Sequence, residues 1–184
     1  MTYCDECPLR LYNSKHHNLQ GIGDKLSGRV LVIPNVDYEA YKCGDVSFSK
    51  QVEIISSILS TGELENTLHI APLIRCNESI GCDITDDIII RCKTYLYADI
   101  NEYDWKDIML CGSSAIRYLG IDSITPYLDT VIVDRATKRK YFVNYSPFVK
   151  YTNDNNFETF KSHLIKWYNC SINKMYKGYT IIMI

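Results

Sequence analysis

The chain has no apolar run approaching the roughly 20 residues that a membrane helix needs, and its amino-terminal stretch carries no signal-peptide apolar region. Both absences point to a soluble chain with no membrane partner, acting in the cytoplasm, or in the host cytoplasm if the source is viral. A basic surplus is missing as well: 20 Lys and Arg stand against 22 Asp and Glu, leaving a net charge of −2. No global positive field draws this chain to nucleic acid, so any DNA site must be a local patch. Repeats, low-complexity stretches and linkers are also absent, so 184 residues read as one domain spanning 1–184, large enough for a real core.

Cysteine, by contrast, is plentiful, with eight residues. Without a secretory signal they belong to a reducing compartment, where metal ligation is favoured over disulfides. Cys4-Asp5-Glu6-Cys7 is a CxxC pair, and Cys76 and Cys92 form a second, remote pair sixteen residues apart. A close pair presents two thiolates to one soft metal centre, and two distant cysteines can close the shell. CxxC alone is a weak signal, since zinc knuckles and redox turns share it. Fifteen tyrosines together with many Ile, Asn and Lys fit an AT-rich coding genome such as a virus's.

Taken in order, residues 1–29 read as polar and loop-like after the CxxC, and His16-His17 reads as part of a solvated loop. Arg29 to Ile33 is a short apolar run typical of a buried parallel strand, ending at Pro34-Asn35. Residues 34–48 are then expected to be a loop at the strand's carboxyl edge, where open α/β sheets bind ligands. Ser49 to Leu59 has helical spacing. Thr67 to Ile74 reads as the next strand, ending or bulging at Pro72. Thr85 is an N-cap with Asp86 and Asp87 in the first helical turn, and Ile88, Cys92, Tyr95 and Leu96 share one side of that helix.

Asp107 to Gly112 reads as a third buried strand running into Ser113-Ser114 and a helix stopped by Gly120, which leaves free N–H groups for a phosphate or a well-capped structural helix. Val131–Val133 and Tyr141–Val143 flank Asp134 to Lys140, a strand pair around the one dense basic turn, either a solvated tip or a phosphate contact. Tyr145 to Tyr151 is an aromatic-rich loop, and Phe157, Phe160, Leu164 and Trp167 mark an amphipathic helix. The tail at 171–184 ends in Tyr179 to Ile184, an edge strand or a partner-docking segment. Alternating strands and helices predict a three-layer α/β/α sandwich with a central, mostly parallel sheet.

The order of these motifs resembles the iron–sulfur (family 4-like) uracil-DNA glycosylases and the related domains of phage DNA polymerases. Cys4 to Leu9 matches the family's CxxCxL opening. Gly21-Ile22-Gly23 and Val30 to Asn35 occupy its Gly-x-Gly turn and V-(M/L)-x-V-G-E-x-P-G segment. His69 to Cys76 matches Y-I-T-N-V-V-K-C, and Asp87 to Leu96 matches its E-x-x-x-C-x-x-Y-L helix. Leu110 to Ala115 resembles L-G-A-T-A, and Asn144 to Pro147 resembles T-Y-H-P. The match covers roughly residues 4–168, and the spacing of Cys76 and Cys92 equals the family pattern. It implies a structural 4Fe-4S cluster on Cys4, Cys7, Cys76 and Cys92, with zinc as the alternative occupant. It leaves Cys43, Cys82, Cys111 and Cys170 as buried or free thiols.

The resemblance also shows what is gone. Pro72 stands where the family's base-reading Asn would be, Pro34 aligns with the water-positioning acid, and Ser146 replaces the catalytic His. Proline offers no side-chain amide, and serine cannot carry positive charge beside a leaving anion. The three losses together argue against ordinary uracil excision. Surviving parts of the implied DNA-holding face are Phe48, Ser113, Ser114, Lys138, Arg139, Lys140, Ser146, Pro147, Phe148 with Val149, and Lys150. The expectation is a non-catalytic DNA-binding accessory of phage or viral replication or repair, with a replisome or DNA polymerase partner. The alternative is a divergent glycosylase acting on uracil or a modified base, with Asp37, Glu39 or Asp45 activating water and Ser146 donating a hydrogen bond. A third class is a protein inhibitor or structural partner with no DNA contact.

Overall fold

In a computed structural model, which describes residues 4–13, 15–59, 67–78, 82–173 and 175–184, the apolar runs assemble into one sheet. Its strands are β1 (Ile22–Gly23), β2 (Arg29–Val36), β3 (His69–Asn77), β4 (Asp107–Cys111), β5 (Thr130–Val133), β6 (Lys140–Asn144) and β7 (Thr180–Met183). The order across the sheet is β1-β3-β2-β4-β6-β5-β7. The β1–β3 and β5–β6 pairs are antiparallel and the other four pairings are parallel. The fold is therefore mixed α/β around a seven-stranded, mostly parallel sheet.

Helices α1 (Pro8–Tyr12), α2 (Tyr38–Cys43), α3 (Lys50–Leu59), α4 (Asp86–Glu102), α5 (Ser113–Leu119) and α6 (Asp154–Asn173) surround it. Because strand side chains alternate, β2 and β4 feed two cores. Val30, Val32, Ile108 and Leu110 pack with Ile88, Cys92, Leu96 and Ile100 of α4. Leu31, Ile33 and Met109 pack with Ile54 and Ile55 of α3 and with Phe160, Leu164 and Trp167 of α6. Helices on both faces are the reason these strands read as continuous apolar runs. At the start of α4, Thr85 Oγ1 accepts the Ile88 N–H at 3.5 Å, as its N-cap position predicts.

Three expectations are corrected. Residues 34–48 are not a loop: β2 continues through Pro34 to Val36, α2 follows, and Val46–Phe48 forms a turn of 3₁₀ helix. The reason is Asp37, whose side chain accepts the Ala40 N–H and starts α2 directly at the strand's end. Likewise, residues 1–29 contain α1 and β1, while positions 1–3 and 14 lie outside the described residues. Finally, β3 does not stop at Pro72, which lies in register with Ile33. The two-residue β1 pairs β3 only at His69 and Ile70, so no ladder on that flank needs a Pro72 N–H.

Among the described residues no helix is long and apolar enough to cross a membrane. The tail becomes an edge strand, β7, parallel to β5; its Lys174 lies outside the described residues. Lys166 holds it, with Nζ donating to the Gly178 carbonyl at 2.7 Å and to Asp129 at 2.5 Å, 4.1 Å from the centre of the Tyr179 ring.

Candidate functional site

Two places gather the chemistry-bearing residues. The first is around the cysteines. The Cys7 N–H donates to the Cys4 carbonyl at 3.1 Å, and Pro8 at the first turn of α1 turns the chain away, fixing the CxxC as a hook. Asn13, fully buried just past α1, then ties this segment to β3. Its Nδ2 donates to the Leu9 and Asn77 carbonyls at 2.8 and 3.1 Å, and its Oδ1 accepts the Asn77 N–H at 2.8 Å.

Opposite, β3 is irregular where it meets β2. Asn35 pairs with Ile74, but Val36 pairs with Asn77, so Arg75 and Cys76 stand outside the ladder. Such a bulge re-aims side chains and frees backbone groups. Here the Arg75 carbonyl accepts the Leu19 N–H at 2.8 Å. The Arg75 N–H donates to the Cys92 sulfur, and the Asn18 N–H donates to the Cys76 sulfur.

Cys7, Cys76 and Cys92 are buried in one core cluster, with Cys4 half-exposed beside them. Burial pushes the Cys76 thiol up to about 12, and Cys92, Cys4 and Cys7 are near enough to raise it further. Burial pushes Cys92 to about 11, with Cys7 and Cys4 again adding. Four sulfurs thus converge, from an amino-terminal hook, a strand bulge and a helix. Among the described residues, no three Cys, His, Asp or Glu side chains stand close enough to share a single ion. Of the other cysteines, Cys82 packs against the same core cluster, Cys111 is fully buried in β4 and Cys43 is exposed at the end of α2.

The second place is the carboxyl edge of the sheet. The chain leaves β2 for β3 on one side and returns to β4 on the other, so a switch point lies between β2 and β4. Gly112, with φ +56°, turns β4 into α5 against the Ser146 loop: a Cβ on Gly112 would stand 2.7 Å from Ser146 Cβ. The Gly112 N–H donates to the Asn144 carbonyl at 2.8 Å. Ser146 Oγ accepts the Phe148 N–H at 3.3 Å and starts a 3₁₀ turn over Pro147–Tyr151, in which Pro147 is buried, Phe148 and Val149 half-buried and Lys150 exposed. Ser113 is partly exposed at the same edge. Ser114 is not available to a ligand, because it is buried and its hydroxyl is directed at the carbonyls of Val32 and Cys111.

Phe48, 59% exposed, borders an open cavity of about 440 Å³ lined also by Glu39, Cys43, Ser47, Lys50 and Glu53. The Lys150–Tyr151 turn adjoins it, since Lys150 and Tyr151 are close enough to act on the charges of Glu53 and Lys50. Lys50 and Glu53 are paired at 2.9 Å, the hydrogen bond holding Glu53 below its usual pKa and raising that of Lys50. Of the candidate water-activating acids, Asp37 is consumed: Oδ1 takes the Ala40 N–H, and Oδ2 takes the Ser49 hydroxyl at 2.5 Å. Asp45 accepts the Ser47 N–H as a cap. Of the three, Glu39 alone lines the cavity, where its charge acts on Lys50. Pro34 and Pro72 are buried within β2 and β3 and present neither acid nor amide.

The basic turn lies elsewhere. Lys140 pairs with Asp107 and Asn144 with Cys111, so Lys138, Arg139 and Lys140 stand at the amino edge, the length of β6 away from Ser146. Arg139 is buried and donates to the Ile100 carbonyl and to Asn101 Oδ1 at 2.7 Å. Lys140 approaches Asp107 at 3.6 Å, 4.6 Å from the centre of the Tyr176 ring. Of the three, only Lys138 is an exposed cation. Sequence reasoning missed Asn13, Asn18 and Arg75. Arg75, immediately before Cys76, was the one carrying a signal. Compared by sequence, the chain matches no protein-family model and no curated protein.

Proposed function

We propose that this chain is a DNA-binding iron–sulfur protein built as a three-layer α/β/α sandwich of the uracil-DNA glycosylase kind, serving phage or viral DNA replication or repair as a non-catalytic accessory. The observation that carries the reading is the meeting, at one sheet edge, of Phe48, the Gly112-Ser113 junction and the Ser146–Lys150 turn, with the base-reading and water-positioning side chains replaced by two buried prolines. Phe48 and Tyr151 offer stacking surfaces, worth about 1–3 kcal/mol per base and indifferent to its identity. Ser113, Lys150 and Phe148 border the same edge. Lys138 belongs to a separate, opposite edge; Arg139, Lys140 and Ser114 are structural. The cytoplasm is the compartment that suits eight reduced thiols.

Cys4, Cys7, Cys76 and Cys92 would hold a 4Fe-4S cluster. The residues fit it on two counts: soft sulfur donors, and N–H groups already directed at Cys76 and Cys92. The cluster's chemistry is structural: it pins the hook to β3 and α4. Because burial keeps the Cys76 and Cys92 thiols protonated, binding releases protons and adds stability.

One observation favours a second reading, a divergent glycosylase. Glu39 is an exposed carboxylate that lines the same cavity as Phe48.

Anaerobic purification with a visible spectrum, then DNA binding and base release on one sample, tests both. Absorbance near about 400 nm from thiolate-bound iron, with DNA binding and no base released, is the expected result. Release of any base that is lost in Glu39→Gln moves the conclusion to the enzyme. A colourless protein that ignores DNA overturns both readings and leaves the third class, a protein-binding partner.

A further inference from the structure

Arg75 is only 4% exposed, next to Cys76 in the bulge of β3. Its guanidinium forms a partly buried ion pair with Asp99 of α4, its Nη1 donates to Gln20 Oε1 at 3.2 Å, and it lies 5.1 Å from the centre of the Tyr95 ring. Its Nε is buried with no hydrogen-bond partner. Its own backbone N–H and its guanidinium both favour the thiolate form of Cys92. One residue therefore offers the cysteine centre both a direct N–H and a fixed positive charge, and that charge is set by a single carboxylate.

We infer that Arg75, balanced by Asp99, is a positioning residue that sets the charge environment, and so the reduction potential, of the iron–sulfur group on Cys4, Cys7, Cys76 and Cys92. This rests on the cluster reading above. A cation near the cluster favours its more negative, reduced state, and a carboxylate beside that cation offsets it. In a site with little water the two effects are weakly screened. Arg91 is the contrast. It also lies near Cys7, but it pairs with Asp87 at the surface, where solvent screens it.

The test is spectroelectrochemical titration of the anaerobically purified full chain, with iron release to a chelator in parallel. Arg75→Gln is expected to lower the midpoint potential and Asp99→Asn to raise it. Arg75→Lys should restore most of the wild-type value, and Arg91→Gln should move it least. Iron release from Arg75→Gln is expected to be about 10–100-fold faster, the usual effect of removing a residue behind a metal ligand. Opposite shifts separate a charge effect from general loosening, which would move both variants the same way. If Arg75→Gln does not fold, Arg75→Lys and Asp99→Asn still give the sign. Unchanged potentials, or shifts in one direction, overturn the inference alone. A wild type that takes up no iron, or holds zinc instead, overturns the cluster reading and this inference with it.

Discussion

Gly112 and Ser146 touch through backbone and side chain, and no side chain can be added between them. A Cβ on Gly112 would meet Ser146 Cβ at 2.7 Å and Ser146 N at 3.2 Å, in a backbone with φ +56°. The junction after β4 and the turn after β6 are therefore one surface, and disturbing the first moves the second.

Gly112→Ala is expected to cost about 1–3 kcal/mol, the usual penalty for a non-glycine residue held in a sparsely populated conformation. It should also weaken DNA binding by displacing the Ser146–Lys150 turn. Urea denaturation gives the first quantity and fluorescence anisotropy with a labelled oligonucleotide the second. Wild-type values in both would show that the contact relaxes without consequence.

Asn13 replaces strand pairing where the hook meets β3. Asn13→Ala removes the acceptor of the Asn77 N–H and the donor to the Leu9 and Asn77 carbonyls, at a cost of about 1–3 kcal/mol in all. Asn13→Asp should be nearly as damaging, because a carboxylate cannot donate to the two carbonyls. Denaturation midpoints and iron content per chain, measured together, check this. Lost iron with unchanged stability would place the clamp's role in the metal centre alone.

The elements that sequence made legible are those whose burial writes a period: β2, β4, α3, α6 and the Thr85-capped α4. That Cys4, Cys7, Cys76 and Cys92 lie near one another was legible from the CxxC pair and the sixteen-residue spacing of the other two. Pro72 misled, because whether a strand tolerates proline depends on the length of its neighbour, and the two residues of β1 give no signal. The bulge at Arg75-Cys76 is equally silent, being a relation between two strands. The basic turn misled for a different reason. Charge density is visible in sequence, but the edge it occupies is decided by strand direction, and the fate of Arg139 by a carbonyl on α4.

Asp129 pairs with Lys166, which holds the tail through the Gly178 carbonyl, and with His163 at 3.2 Å. Partial burial pushes its pKa up, but Lys166 and His163 outweigh this and hold it below the ordinary 3.8. Its folded-state pKa is depressed, so its contribution is present above pH 3.8 and lost as pH falls through the lower folded value. The stability difference between wild type and Asp129→Asn should therefore shrink on acidification below that point. Hydrogen exchange at Thr180–Met183 should rise over the same range in wild type. A difference independent of pH would mean that the pair adds nothing to tail docking.

Lys150 and Lys138 are both exposed cations, and they separate the two edges of the sheet. If DNA lies along the carboxyl edge, Lys150→Glu lowers affinity across all sequences and reduces the salt slope by about 1, the effect of one lost phosphate contact. Lys138→Glu, at the amino edge, should leave both unchanged. Phe48→Ala should cost about 1–3 kcal/mol of single-strand binding without altering the salt slope, because stacking releases no counterions. The reverse pattern, with Lys138→Glu damaging and Lys150→Glu silent, would move the DNA to the β5–β6 turn. Phe48 and the Ser146 turn would then bind something else.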